Sequence, residues 1–396
     1  MEQLEIKERS KVIDQGKIKL GSLVAISKGK KHPIVEEGII RYLNIEDLHN
    51  PSNRTFTNDE GISVFENDLI IAWDGANAGK VGVGLAGVIG STLARLRLNN
   101  GMVDSKFLYW FLESKNELIK SQRTGATIPH VNGSALKDLQ IPIPPLETQK
   151  RIAAILDKAD ALRRKDQELL KKYDELAQAI FIDIFGDLSS NQYKTAPLSA
   201  ISEVSNGVTK NEKLTNSEMV EAPYLRVANV QDGFLDLKEI KEIKVSELDF
   251  KKYQLKKWDI LLTEGGDPDK LGRGTTWQEE VPNCIFQNHL FRVRINSNEI
   301  RPYFLSKLIA SKYGKKYFLK AAKQTTGIAT INSSQLKEFP VIIPPIKTQD
   351  NFEQKSLQLE LIKKEFTKTA NQSESLFQTL LQKAFKGELV LEVKSE

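Results

Sequence analysis

Ile141-Pro-Ile-Pro-Pro-Leu-Glu-Thr-Gln149 returns as Val341-Ile-Ile-Pro-Pro-Ile-Lys-Thr-Gln349, a constant offset of 200. The same offset pairs Asn132 with Asn332, Ser134 with Ser334, Leu136 with Leu336, Lys137 with Lys337, Leu176 with Leu376 and Phe185 with Phe385. Such a period marks two copies of one structural unit. Each nonapeptide opens a run whose apolar residues step by three and four, the period of an amphipathic helix. In the first run they are Ile152, Ile155, Ala159, Leu162, Leu169, Tyr173, Leu176 and Ile180, with Asp166 as the polar break. In the second they are Phe352, Leu359, Ile362, Phe366, Leu376 and Leu380, weakened by Lys355, Thr369 and Ser373. Both read as heptad seams. Pro145 and Pro345 suit a first helical turn, and Gly186 and Gly387 suit C-terminal caps.

Before each helix lie roughly 150 residues, enough for one hydrophobic core. The expected divisions are a domain over 1–145, a helix over 146–187, a second domain over 188–345, and a helix with its tail over 346–396. Motifs inside the domains recur with a drifting offset. Leu20–Gly29 is similar to Leu198–Gly207, Asn67–Ile71 to Trp258–Leu262, and Leu93–Leu98 to Leu290–Ile295. A fixed framework with insertions between its parts suits a scaffold whose loops carry a variable recognition task. The expected fold is α+β: two similar mixed α/β domains separated by two long helices.

A seam must bury itself against something, and its own repeat is the nearest candidate. Antiparallel pairing would place one domain at each end, with pseudo-two-fold symmetry. A helix over 146–185 spans ~60 Å at ~1.5 Å per residue, comparable with one to two turns of duplex DNA at ~34 Å per turn. The alternative is that the seams only dimerise the chain or pack as ordinary helices.

At 40% hydrophobic and 28% charged residues the composition is that of an ordinary globular protein. No apolar run approaches the roughly 18 residues of a spanning helix, and the charged start Met1–Ser10 lacks the apolar core of a signal peptide. Cytoplasmic residence, without membrane partners, is expected. One cysteine, Cys284, excludes an intramolecular disulfide and a cysteine-clustered zinc site. With only four histidines, and His32, His130 and His289 each lacking nearby ligand partners, no metal site is expected. A net charge of +5 does not by itself identify the partner. Its distribution is more informative, because acidic residues gather on the helices and basic ones in the domains.

Lys28, Lys30 and Lys31 form one basic cluster. Gly75-Ala-Asn-Ala-Gly79-Lys80-Val81 superficially suggests a phosphate loop, but three residues rather than four separate the glycines and no Ser or Thr follows the lysine. A glycine-rich loop beside DNA, with Asn77, Lys80 and, in the second copy, Lys270 and Arg273 near phosphates, fits better. Ser91 and Thr92 align with Asn288 and His289, polar positions that differ as two readers of different sequences would. Arg123, Thr124, Thr127 and His130 in one loop, and Gln324, Thr325, Thr326 and Thr330 in the other, can pair with base edges or phosphates. Lys210 and Arg226 complete the DNA-binding candidates. Arg95 with Arg97, and Arg292 with Arg294, share one face of a strand; phosphate contact and a salt-bridged sheet face are equally open readings. No catalytic residue is expected, since no nucleophile motif is present.

The nonapeptide running into a heptad helix, its repeat, and the ending Leu380-Leu-Gln-Lys-Ala-Phe-Lys-Gly-Glu-Leu389 resemble the DNA specificity subunit of type I restriction-modification enzymes. The phrase Asn67–Gly82 resembles one that recurs in that family's target recognition domains, and the likeness runs from about Leu20 to Leu389. The resemblance implies a non-catalytic subunit that binds a bipartite double-stranded DNA sequence. It also implies docking to two modification (methyltransferase) subunits and to restriction (translocase/endonuclease) subunits. S-adenosylmethionine, ATP and Mg²⁺ would belong to those partners, leaving no cofactor in this chain. Residues 1–17 precede the usual family start. Two other readings are kept: a coiled-coil structural protein without DNA affinity, and an ATP-dependent enzyme using Gly75–Lys80.

Overall fold

The computed structural model describes residues 16–186, 188, 193–209, 219–266, 271–325 and 328–389. They divide into two compact units, one running up to Leu170 and resuming at Phe366, the other spanning Lys171–Glu365. The units therefore do not stop at 145/146 and 345/346. Each takes in part of both long helices.

In the first unit the chain runs through β1 (Lys17–Lys19), α1 (Leu20–Leu23), β2 (Val24–Lys28), β3 (Ile40–Leu43) and β4 (Phe56–Thr57). It continues with β5 (Ser63–Val64), β6 (Leu69–Ala72), β7 (Val81–Val83), β8 (Gly87–Ile89) and β9 (Leu93–Leu98). Three helices follow, α2 (Ser105–Ser114), α3 (Asn116–Ser121) and α4 (Gly133–Lys137), then β10 (Gln140–Pro142) and the 40-residue α5 (Leu146–Phe185). The main sheet is antiparallel with strand order β2-β9-β6-β7, and a second sheet, β4-β3-β8-β5, holds the parallel pair β3/β8. The continuously apolar strand Leu69-Ile-Ile-Ala72 is buried at every position, as a central strand covered on both faces requires.

The second unit repeats this plan with β11 (Lys194–Pro197), β12 (Ser202–Asn206), β13 (Met219–Leu225), β14 (Lys241–Ser246), α6 (Glu247–Tyr253) and β15 (Ile260–Thr263). Next come β16 (Gly265–Gly266), β17 (Gly274–Thr276), β18 (Ile285–Phe286), β19 (Leu290–Ile295), α7 (Pro302–Ala310) and α8 (Lys312–Ala321). The chain then forms β20 (Lys323–Thr325), β21 (Ile328–Thr330), α9 (Ser333–Lys337), β22 (Pro340–Ile343) and the 41-residue α10 (Ile346–Lys386). Its main sheet, β12-β19-β15-β17, has the same order, and β13/β18 is again a parallel pair. The framework is duplicated down to a single close approach. A Cβ on Gly29 would lie 2.4 Å from the Ile89 carbonyl oxygen, and one on Gly207 would lie 2.1 Å from that of the corresponding Phe286.

The repeated nonapeptide works through its last residue. Gln149 is fully buried; its Oε1 accepts from Asp104 N at 2.8 Å and its Nε2 donates to Met102 O at 2.9 Å and Pro144 O at 2.8 Å. Gln349 repeats all three bonds, with Arg301 N, Glu299 O and Pro344 O. Each glutamine thus stitches the start of a long helix to the strand-to-helix turn of its own unit. Gly186 and Gly387 adopt φ +67° and +79°, the left-handed conformation that ends a helix.

In the first unit Ile152 and Leu156 of α5 and Phe377 and Leu381 of α10 share one core with Phe107, Phe111, Leu69 and Ile71. There Arg163 pairs with Glu374 at 3.3 Å and lies 4.3 Å from the Phe377 ring centre. In the second unit Lys363 pairs with Asp174, and Phe352 meets Phe181 and Phe185 at 5.4 and 5.1 Å. Rising numbers on α5 meet falling numbers on α10, so the helices are antiparallel where they meet in that unit.

Four expected seam residues are corrected. Leu162, Leu176, Ile362 and Leu376 are 48%, 47%, 54% and 51% exposed. Beside Leu162 and Leu376, Arg163 and Phe377 face the partner helix instead, and the buried row in the first part of α5 is Gln149, Ile152, Ala153, Leu156 and Asp160, with Asp166 and Phe185 also buried further along. That row faces a domain core as well as a helix, so it is wider than a two-stranded seam and shifted from it. Of the remaining seam residues Ile152, Phe352 and Leu359 are buried, while Ile155, Ala159, Leu169, Tyr173, Ile180, Phe366 and Leu380 are half-buried.

Candidate nucleic-acid interface

The arginine pairs on the sheets are structural. Arg97 grips Asp68 with two hydrogen bonds, of 2.9 and 2.7 Å, and lies over Phe65. Arg294 grips Asp259 in the same way, at 2.7 and 2.6 Å. Arg95 bonds the Ser63 carbonyl, and Arg292 bonds Glu203. Burial alone would raise the Asp68 carboxyl, but hydrogen bonds from Arg97 and the Phe65 amide, with the charges of Arg97 and Arg95, hold it below the usual carboxylate range. Of the two readings left open, the salt-bridged sheet face is the one found.

At one end of the first unit's main sheet, four segments converge: the end of β2, the 73–80 loop, the 90–92 turn and the 122–130 loop. Backbone bonds assemble them. Trp73 N donates to Thr92 O at 2.7 Å, Gly75 N to Pro129 O at 2.9 Å, and Thr124 and His130 exchange a pair of bonds. Arg123 Nη1 donates to Ala76 O at 3.2 Å, tying the outer loop to the glycine-rich one. At the centre stands Asp74, which the sequence reading did not single out. Its Oδ2 meets Lys28 Nζ at 2.6 Å and its Oδ1 meets His130 Nδ1 at 2.5 Å. Burial would raise this carboxyl too; bonds from Lys28 and His130, and their charges, lower it. Thus Lys28, Thr92, Arg123, Thr124 and His130 are brought together. Lys30, Lys31, Asn77, Thr92, Thr124 and Thr127 are exposed, and Ser91 is half-buried.

The same four segments meet in the second unit. Glu264 N donates to His289 O at 3.2 Å, as Trp73 does to Thr92, and Ile331 N donates to Glu264 O, as Val131 does to Trp73. Position by position, Thr92 therefore corresponds to His289, Trp73 to Glu264, Asp74 to Gly265 and His130 to Thr330. A cleft of about 550 Å³ opens here, lined by Asn206, Lys252, Tyr253, Glu264, Asn288 and His289 among others. His289 Nδ1 meets Glu264 Oε2 at 2.9 Å, and Asn206 Nδ2 donates to Asn288 O at 3.1 Å. Asn288 and His289 thus lie together in the cleft, and Thr330 is exposed on the neighbouring strand.

Three cations expected at the DNA, Lys80 and Arg273 at phosphates and Arg226 without an assigned contact, are engaged inside their units. Lys80 is half-buried with Nζ 2.7 Å from His49 Nδ1, and burial lowers its pKa. Arg226 meets Glu239 at 3.4 Å. Arg273 donates to Gln231 Oε1 at 3.3 Å. A long cation at a loop base finds intramolecular acceptors that sequence spacing does not reveal. Lys210, Lys270 and Thr326, and the side chains of Gln324 and Thr325, lie outside the described residues. The residues missed, Asp74 and Glu264, lie just past an apolar strand, Glu264 directly after Thr263 and Asp74 one residue further on, after Trp73; a carboxylate so close to the end of such a strand was the signal available.

Among the described residues no helix is long and apolar enough to cross a membrane. The sequence matches the family model of the type I restriction modification DNA specificity domain twice, over 14–172 and 191–355. It is 29% identical over 328 residues to the type I restriction enzyme MjaVIII specificity subunit of Methanocaldococcus jannaschii, covering 76% of each chain. To the EcoKI specificity subunit of Escherichia coli K12 it is 25% identical over 318 residues, covering 74% of this chain and 68% of that one. Its fold is similar to that of the type I restriction-modification S subunit from M. genitalium, with a TM-score of 0.57, 20% identity, and coverage of 95% and 98%. Two matched domains, each with the same loops gathered at one end of the same sheet, identify the chain as a member of the family of type I restriction-modification DNA specificity subunits.

Proposed function

We propose that each unit reads one half of a bipartite double-stranded DNA target through the loop cluster at the end of its main sheet. The chain itself carries out no chemistry in this reading. It docks two modification subunits and restriction subunits, which bring S-adenosylmethionine, ATP and Mg²⁺. One observation carries this reading: four corresponding segments converge in both units on one framework, yet present different polar side chains. A shared framework with divergent tips is what reading two different half-sites requires. The full-length chain assembled with its modification subunits should bind duplex DNA with an affinity that falls steeply as salt rises, because phosphate contacts release counterions. Mapping methylated adenines in the host genome should return a split sequence with an unspecified gap. Salt-independent or absent DNA binding would instead support a purely structural coiled-coil protein.

A further inference from the structure

Both reading surfaces contain a histidine whose Nδ1 is held by a carboxylate, but the two pairs are built from non-corresponding positions. In the first unit Asp74 holds His130; in the second Glu264 holds His289. His130 corresponds to Thr330, and His289 to Thr92. Elements that serve the fold fall at matching positions in both units, as Gln149 with Gln349, Asp68 with Asp259 and Gly29 with Gly207 do. A pair formed twice at the same end of the sheet, from different positions each time, answers to something outside the fold.

Building on the DNA-reading function proposed above, we propose that His130 and His289 are base-reading side chains, one for each half-site, and that Asp74 and Glu264 are their positioning residues. With Nδ1 engaged, each ring is fixed in rotation and keeps Nε2 for a single hydrogen bond to a base edge. The rings are placed for it: the His130 and His289 side chains are 45% and 59% exposed, whereas Asp74 beneath is only 16% exposed. Lys28, on the other oxygen of Asp74, keeps that carboxylate ionised and turned toward the ring.

The test is binding selection from a duplex library randomised across both half-sites, using the full-length chain in complex with its modification subunits. His130→Ala and Asp74→Asn should each lose discrimination at the same base pair of one half-site, by roughly fivefold to a hundredfold. His289→Ala and Glu264→Gln should do so at one base pair of the other half-site. Thermal stability and the salt dependence of binding should be unchanged in the two histidine variants. A uniform loss of affinity with a shallower salt dependence would assign the rings to phosphates and overturn the proposal. So would unaltered selectivity, or loss at a base pair different from that of the paired carboxylate variant. The wild-type complex is the control for the underlying reading. If it selects a split sequence while the variants select the same one, the histidine assignment alone fails; if it selects nothing, DNA reading itself fails.

Discussion

Gln149 and Gln349 show why the repeated nonapeptide ends as it does. An amide side chain supplies one acceptor and two donor hydrogens, and each glutamine uses all three on backbone groups while fully buried. Gln149→Leu should therefore leave two carbonyls and an amide unsatisfied and cost about 3 kcal/mol or more, measured as a lowered unfolding transition. The ion pairs beneath the sheets behave similarly. Removing the guanidinium in Arg294→Met strands Asp259, which is 1% exposed, and should cost on the order of 3 kcal/mol. Asp68 adds a pH dependence. Its folded pKa lies below the unfolded one, so its stabilisation is complete above the ordinary aspartate pKa and is lost as pH falls through the lower, folded value. Thermal melts of Asp68→Asn should converge with wild type at low pH and fall below it near neutrality. A constant difference across the acid range would argue against this assignment.

At the scale of elements, the long helices separate what periodicity can and cannot tell. Their existence, their starts after Pro145 and Pro345 and their ends at Gly186 and Gly387 were legible, because rigid φ and left-handed φ are written in residue identity. The facing row was read less well. Leu376 and Phe377 are adjacent apolar residues, and a heptad template accepts either one. Packing chose Phe377, because its ring contacts Trp110 of α2 at 5.6 Å and takes the Arg163 guanidinium on its face. Phe377→Ala should cost about 3–5 kcal/mol, whereas Leu376→Ala, at an exposed position, should stay within about 0.5 kcal/mol. Equal costs would restore the template register. The loop clusters were partly legible in the same sense. Their polar character and alignment between copies pointed to Thr92 and His289, but the carboxylates that orient the histidines come from chain segments distant in sequence, which spacing cannot bring together.

For the whole molecule, the functional reading makes the unspecified gap in the target a property of the helices rather than of the loops. Inserting seven residues, about two turns at ~3.6 residues per turn, into both α5 and α10 should widen the gap while leaving the half-site sequences unchanged. An unaltered gap in the methylation map would count against that reading. The division of the helices between units also sets an order of assembly. The second unit is one continuous segment, Lys171–Glu365, whereas the core of the first is completed by Phe377, Leu381 and Ala384. On the ribosome, where folding ordinarily follows the order of emergence, the earlier-made unit must wait with its aromatic face around Trp110 and Phe107 uncovered until α10 has been synthesised. The later-made unit can close first, so a released chain ending at residue 365 would hold a finished second unit and an unfinished first.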